Sequence, residues 1–274
     1  MTEYTVIRLE RNEHIAEVIL NNPERLNAMG ANFFTEIRQA FEEIDADDNI
    51  RTAILWAEGR MFTAGLDLKN SILGTLNNAQ DKASLGFRNE QFYRDIRQIQ
   101  DCFTAVERCR KPVIAAVHGH CIGGGVDLTT ACDIRLCTAD ATFAIHETKV
   151  AIVADLGTLQ RLTGIVGKGF AREMAFTGKR IPAARALQFG LVNDVYETKD
   201  ALLDAARAMA AEIAANSPLV VQGVKQVLQF SEEHSIQDGL EYVAQWNAAR
   251  IQTADLLEAM TAFLEKRTPT FTGN

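Results

Sequence analysis

Three consecutive glycines, Gly123–Gly125, follow an apolar stretch, Val113–Val117, and precede an acid, Asp127. This unit constrains the fold more than any other feature of the chain. An apolar run of that length reads as a buried strand, and glycines after it permit a turn tight enough to lead straight into a helix. The first N–H groups of that helix have no intrahelical partner and lie at the positive end of its dipole. They are placed to hold a developing negative charge. Glu147 and Asp155 follow downstream. Acids beside an apolar core are disfavoured unless they have partners or a task, so three around one glycine turn suggest proton transfer next to a stabilised oxyanion.

Nucleotide motifs fit this turn poorly. A dinucleotide fingerprint needs a third glycine where Leu128 stands, and a phosphate loop needs a terminal Gly-Lys-Ser/Thr that is absent. An acid just past the turn also repels phosphate. The net charge of −8 argues against a nucleic-acid partner, although an anionic small molecule needs only a few well-placed cations. The composition is that of an ordinary globular protein, with 47% apolar and 23% charged residues over 274 positions. The five cysteines form no C-x-x-C pair and read as small buried hydrophobes in a reducing compartment. No set of His, Cys and acids has metal-ligand spacing, so no metal is expected. The absence of a presequence pattern, a membrane span or a peroxisomal C-terminal signal suggests a cytoplasmic location.

Along the chain, Thr5–Leu9 and Ile15–Leu20 alternate as the strands of a hairpin. Phe33, Phe34, Ile37, Phe41 and Ile44 recur at helical spacing. A short strand at Ala53–Ala57, a loop to Lys69, and a long helix over 88–109 come next. Beyond the glycine turn, strands are expected at Ile134–Cys137, Thr142–Ile145 and Leu191–Tyr196, with helices over 157–163, 167–176 and 182–189. This alternation predicts a layered α/β core. From about residue 198 the pattern is helical only, so the expected division is a core over 1–200 and a helical association region over 201–274.

The loop at Gly59–Lys69 also follows a buried strand and also turns on glycine, so two neighbouring turns can offer one N–H each to a single oxygen. Here the chain resembles the crotonase superfamily of enoyl-CoA hydratases and isomerases. The resemblance rests on N-P-E-R-L-N-A-M at 22–29, F-T-A-G-L-D-L-K at 62–69, K-P-V-I-A-A-V-H-G-H-C-I-G-G-G at 111–125, A-C-D-I-R at 131–135, G-T-L-Q-R-L at 157–162 and F-L-E-K-R at 263–267. Each motif alone is weak, but together they span nearly the whole chain in order.

The resemblance implies a crotonase-like ββα spiral core of two sheets, with C-terminal helices that assemble trimers and hexamers. It implies an acyl-CoA thioester substrate, with no cofactor beyond the coenzyme A of that substrate. The oxyanion hole would be the N–H groups of Leu66 and Gly124, with Ala64, Gly65, Asp67, Leu68, Lys69 and Gly123 near substrate or CoA, and Lys266 a phosphate contact of a kind that in hydratases often comes from a neighbouring subunit. Hydratases use two glutamates. Glu147 matches the second, but Asp127 replaces the first, and Asp155 stands where a glycine is usual. That set resembles the isomerases that convert 3,5-dienoyl-CoA to 2,4-dienoyl-CoA, with Glu147 removing a proton at C2 and Asp155 returning one at C6. Asp155 must then be protonated when it acts, which apolar neighbours (Ile152, Val153, Ala154, Leu156) would favour by raising its pKa. Structural accounts stand beside these: Glu147 paired with Lys149, Asp127 as a helix-start acid, and His118, His120 and His146 as packing groups. Arg25 is a further candidate phosphate contact, and Ala151 takes a place that is often glycine. The rival readings are an enoyl-CoA hydratase or another acyl-CoA isomerase, and a non-catalytic relative binding acyl-CoA or RNA.

Overall fold

The computed structural model describes residues 4–68 and 84–274. Strands β1 (Ile7–Asn12) and β2 (Ile15–Leu20) make the expected antiparallel hairpin, with Ile7 opposite Leu20. The first strand begins at Ile7 rather than Thr5, because the preceding backbone is bound sideways. The Thr5 and Val6 N–H groups donate to the buried Glu36 carboxylate of α1 (Ala31–Ala46), each at 2.9 Å. Helix α1 buries Phe33, Phe34, Ile37, Phe41 and Ile44, the stripe that its helical spacing predicts.

β3 (Thr52–Ala57) is buried at all six positions, as a strand covered on both faces must be. It pairs in parallel with β2 and with β4 (Val113–Val117), the crossover to β4 running through α2 (Leu85–Arg108). After β5 (His120–Ile122) and α3 (Gly124–Thr130) come β6 (Ile134–Thr138) and β7 (Thr142–Ala144). Then follow α4 (Thr158–Val166), α5 (Lys168–Thr177), β8 (Ile181–Pro182), α6 (Ala183–Gln188) and β9 (Asp194–Tyr196). Six strands form one sheet in the order β1-β2-β3-β4-β6-β9, and β5-β7-β8 form a second. From β4 onward the chain adds strands to both sheets in turn, the ββα spiral that the resemblance implies. β8, at two residues, is too short to show a period of two, and β5 lies within the stretch that reads as the glycine turn, so the sequence does not reveal them.

The C-terminal helices are α7 (Lys199–Ala214), α8 (Pro218–Glu233), α9 (Ile236–Arg250) and α10 (Ala254–Glu265). Leu202, Leu203, Ala206 and Ala210 of α7 pack on Ile19, Ile54, Ile114 and Leu136 of the large sheet. The pattern change near residue 200 is therefore not a break in packing. α7 covers the second face of the sheet, each buried leucine contributing about 2 kcal/mol. Leu256, Leu257, Met260, Phe263 and Leu264 of α10 are exposed. All five cysteines are buried as free thiols. Among the described residues no helix is long and apolar enough to cross a membrane.

Candidate active site

The loop after β3 and the short strand β5 run side by side. The Thr63 N–H donates to the His120 carbonyl at 3.0 Å, and the Ile122 N–H to the Thr63 carbonyl at 3.3 Å. This pairing brings both glycine turns to one place. At Gly65 φ is +87°, and an added Cβ would stand 2.7 Å from the Ile122 carbonyl oxygen. Gly123 has φ 54° and ψ −120°, and a Cβ there would stand 3.1 Å from Glu147 Oε1. Positive φ favours glycine at both positions, close backbone also requires it at Gly65, and at Gly123 a Cβ would press on the Glu147 carboxylate.

Leu66 forms a parallel bridge with Met29: the Met29 N–H donates to the Gly65 carbonyl at 2.9 Å, and the Asp67 N–H to the Met29 carbonyl at 3.0 Å. In such a bridge the central residue's own N–H points the other way. Neither the Leu66 N–H nor the Gly124 N–H has an acceptor among the described residues. Gly124 opens α3, one residue earlier than the glycine run suggests, so its N–H is an unpaired donor at a helix start.

Both donors border a narrow cavity that Glu147 and Asp155 also line. Its walls are apolar, formed by Met29, Phe34, Phe92, Ile96, Ile99 and Ile152. Glu147 opens a 3-10 turn, Glu147–Val150, after β7, and its Oε2 is buried without a partner among the described residues. Burial first, and the Asp127 charge second, push its carboxyl up to about 7. Asp155 lies in the loop before α4, and its carboxyl is raised by burial. The apolar setting comes from Ile152, Leu156 and the helix walls. Val153, expected to contribute, is 74% exposed.

Asp127 is placed differently from the other two acids. It is 1% exposed in the first turn of α3, does not line the cavity, and accepts the Thr158 N–H on Oδ1 at 2.7 Å. Burial pushes it up to about 6, the Thr158 hydrogen bond pulling the other way. It borders the acids from behind the cavity wall and contacts nothing inside.

The remaining candidates divide. Ala64, Gly65, Leu68 and Gly123 line the cavity, whereas Asp67 does not and is ion-paired to Arg25 at 2.9 Å. That pairing occupies Arg25, the further phosphate candidate. Lys69 falls outside the described residues. The chain does not bring Lys266 to the cavity: it stands exposed at the end of α10. Lys149 is exposed, with its stem over Gly178, and no ion pair joins it to Glu147 among the described residues. His118 binds the Gly59 carbonyl and His120 the Thr142 hydroxyl, but His146 lines the cavity beside Glu147. Phe34, the α2 residues Phe92, Ile96 and Ile99, and the histidine next to the base are among the lining residues that motif spacing does not show. A larger cleft of about 1270 Å³ lies where α8 and α9 meet α4, and holds neither Glu147 nor Asp155.

A family profile for enoyl-CoA hydratase/isomerase matches residues 10–274. The mitochondrial Delta(3,5)-Delta(2,4)-dienoyl-CoA isomerase of Dictyostelium discoideum is 47% identical over 276 residues, covering 100% of this chain and 94% of the relative. The peroxisomal enzyme of that name from Arabidopsis thaliana is 44% identical, covering 97% and 95%. Among solved structures, the enoyl-CoA hydratase of Bacillus anthracis superposes with a TM-score of 0.89 at 32% identity, covering 98% of this chain and 100% of the other. The expectation of a cytoplasmic location is overturned, because these isomerase relatives are named mitochondrial or peroxisomal. In motif order, in its two-sheet architecture and across its whole length, the chain belongs to the enoyl-CoA hydratase/isomerase family.

Proposed function

We infer that this protein isomerises 3,5-dienoyl-CoA to 2,4-dienoyl-CoA. Relatives named for that reaction match it at 43–47% identity over 93–100% of its length. The observation that carries the reading is the lining of the cavity: two carboxyls of raised pKa in apolar walls, beside two backbone N–H groups without partners among the described residues.

The thioester oxygen sits between the Leu66 and Gly124 N–H groups. Removal of a C2 proton by Glu147 sends the electron pair of the C–H bond into the conjugated system, and the charge is shared among the oxygen, C4 and C6. Donors fixed in advance lower that barrier by about 3–4 kcal/mol each. Asp155 then gives its proton to C6, the double bonds now lying at C2 and C4, and the proton count is unchanged. A base with its pKa near neutrality is well matched to the task, and burial holds Asp155 protonated more than an exposed aspartate. The reaction needs no water and no group beyond the coenzyme A that the substrate carries. Hydration would need a second carboxylate at the reacting double bond, and the residue in the hydratase position, Asp127, is turned to Thr158. Trimers, paired as hexamers, would cover the exposed apolar residues of α10.

The test is incubation with 3,5-dienoyl-CoA and, separately, with 2-enoyl-CoA, following absorbance of the conjugated thioester. We expect the dienoyl substrate to be converted and the enoyl substrate to be hydrated far more slowly. Rapid hydration without dienoyl turnover would overturn the reading.

A further inference from the structure

The loop that carries Asp155 is gripped along one stripe of α2. Gln100, Thr104 and Glu107 stand at i, i+4 and i+7, on one face of the helix. The apolar positions Phe92, Ile96 and Ile99 have the same i, i+4, i+7 spacing, ending one residue before Gln100, and line the cavity. Gln100 Nε2 donates to the Asp155 carbonyl at 2.6 Å. Its own amide oxygen accepts from Arg97 at 2.8 Å, which aims the amine end at the loop. Further along, the Arg161 guanidinium forms a fork with Glu107 at 2.8 and 2.7 Å and reaches Thr104 Oγ1 and the Leu156 carbonyl, each at 3.4 Å. A Cβ at Gly157 would overlap that guanidinium. From the opposite side Asp127 holds the Thr158 N–H.

The backbone is thus tied at residues 155, 156 and 158, and Gln100 supplies the tie at Asp155 itself. Glu147 has no part in this: it stands on a separate turn after β7. The helix that would line the acyl tail therefore also sets the position of the acid meant for that tail's far carbon. We propose that Gln100 is a positioning residue for Asp155, governing the return of the proton at C6 while leaving its removal at C2 to Glu147. This rests on the isomerase reading above. A backbone shift of about 1 Å can cost a hundredfold in rate, and here the loss falls on one of two chemical steps.

Gln100→Met keeps the length of the side chain and removes the donor. The test measures kcat and KM for 3,5-dienoyl-CoA, the isotope effect on substrate deuterated at C2, and the melting temperature. We expect kcat to fall about tenfold or more, KM to stay within about twofold, and melting to be unchanged. The C2 isotope effect should move toward unity, because C6 protonation becomes limiting. A kcat within about twofold of the parent would overturn the proposal, as would a lower kcat with an unaltered isotope effect, which marks a loss shared by both steps. Parent enzyme that fails to turn over the dienoyl substrate would instead refute the isomerase reading itself.

Discussion

Asp127→Asn separates electrostatic influence from contact. Asn retains an oxygen for the Thr158 N–H, so the loop keeps its hydrogen bond, but the buried negative charge is gone. Glu147 is raised from 4.5 to about 7, with burial the larger cause and the Asp127 charge the next. The charge is thus the second of the causes that raise it, and burial remains when the charge is removed. Glu147 acts when ionised, so kcat/KM should climb as pH passes through its pKa. Without the like charge that pKa falls, and the climb moves to lower pH while staying above the range of an exposed glutamate. The assay is the initial rate of conjugated product at limiting 3,5-dienoyl-CoA between about pH 5 and 9.

Stability should respond as well. Asp127 rises from 3.8 to about 6 on folding. A raised carboxyl contributes stability below its unfolded pKa that is lost as pH climbs through the folded value. The loss here is on the order of 3 kcal/mol between about pH 4 and 6. Asn lacks this dependence, so the variant should gain stability relative to the parent over that window. A rate profile that stays in place or moves to higher pH would refute Asp127 as an electrostatic neighbour of the base. Complete loss of turnover at every pH would refute its placement behind the cavity wall.

Gly123→Ala should lower kcat/KM by more than about a hundredfold, because its Cβ meets Glu147 and its φ is left-handed; steady-state rates on 3,5-dienoyl-CoA check this. Ala151 also has a left-handed φ of 59°, at a cost of about 1–2 kcal/mol relative to glycine. Ala151→Gly should therefore raise the melting temperature by about 1–3 °C with activity retained, the gain being reduced by the freer unfolded chain.

Much of this site could be read from the sequence, because its backbone parts are local. The glycines of the two turns lie within short motifs, the acids at 147 and 155 follow closely in the chain, and the structure brings them to one cavity. What escaped is set by pairings far apart in the chain. Met29 reaches the cavity only because it bridges to Leu66, and nothing periodic marks that. Asp127 stands two residues beyond the last glycine and reads as part of the site, yet the helical turn carries its side chain toward Thr158. α7 looks like the rest of the helical tail, but its leucines belong to the sheet. Gln100 lies one position beyond an apolar stripe and reads as surface, until Asp155 is folded against it.

The measurement that bears most directly on the mechanism is turnover of 3,5-dienoyl-CoA by Asp155→Asn, with binding of the CoA ester followed by calorimetry. We expect 2,4-dienoyl-CoA formation to drop by about 10²–10⁴-fold while affinity stays within a few-fold. Turnover within tenfold of the parent would contradict the assignment of Asp155 as the acid that completes the isomerisation.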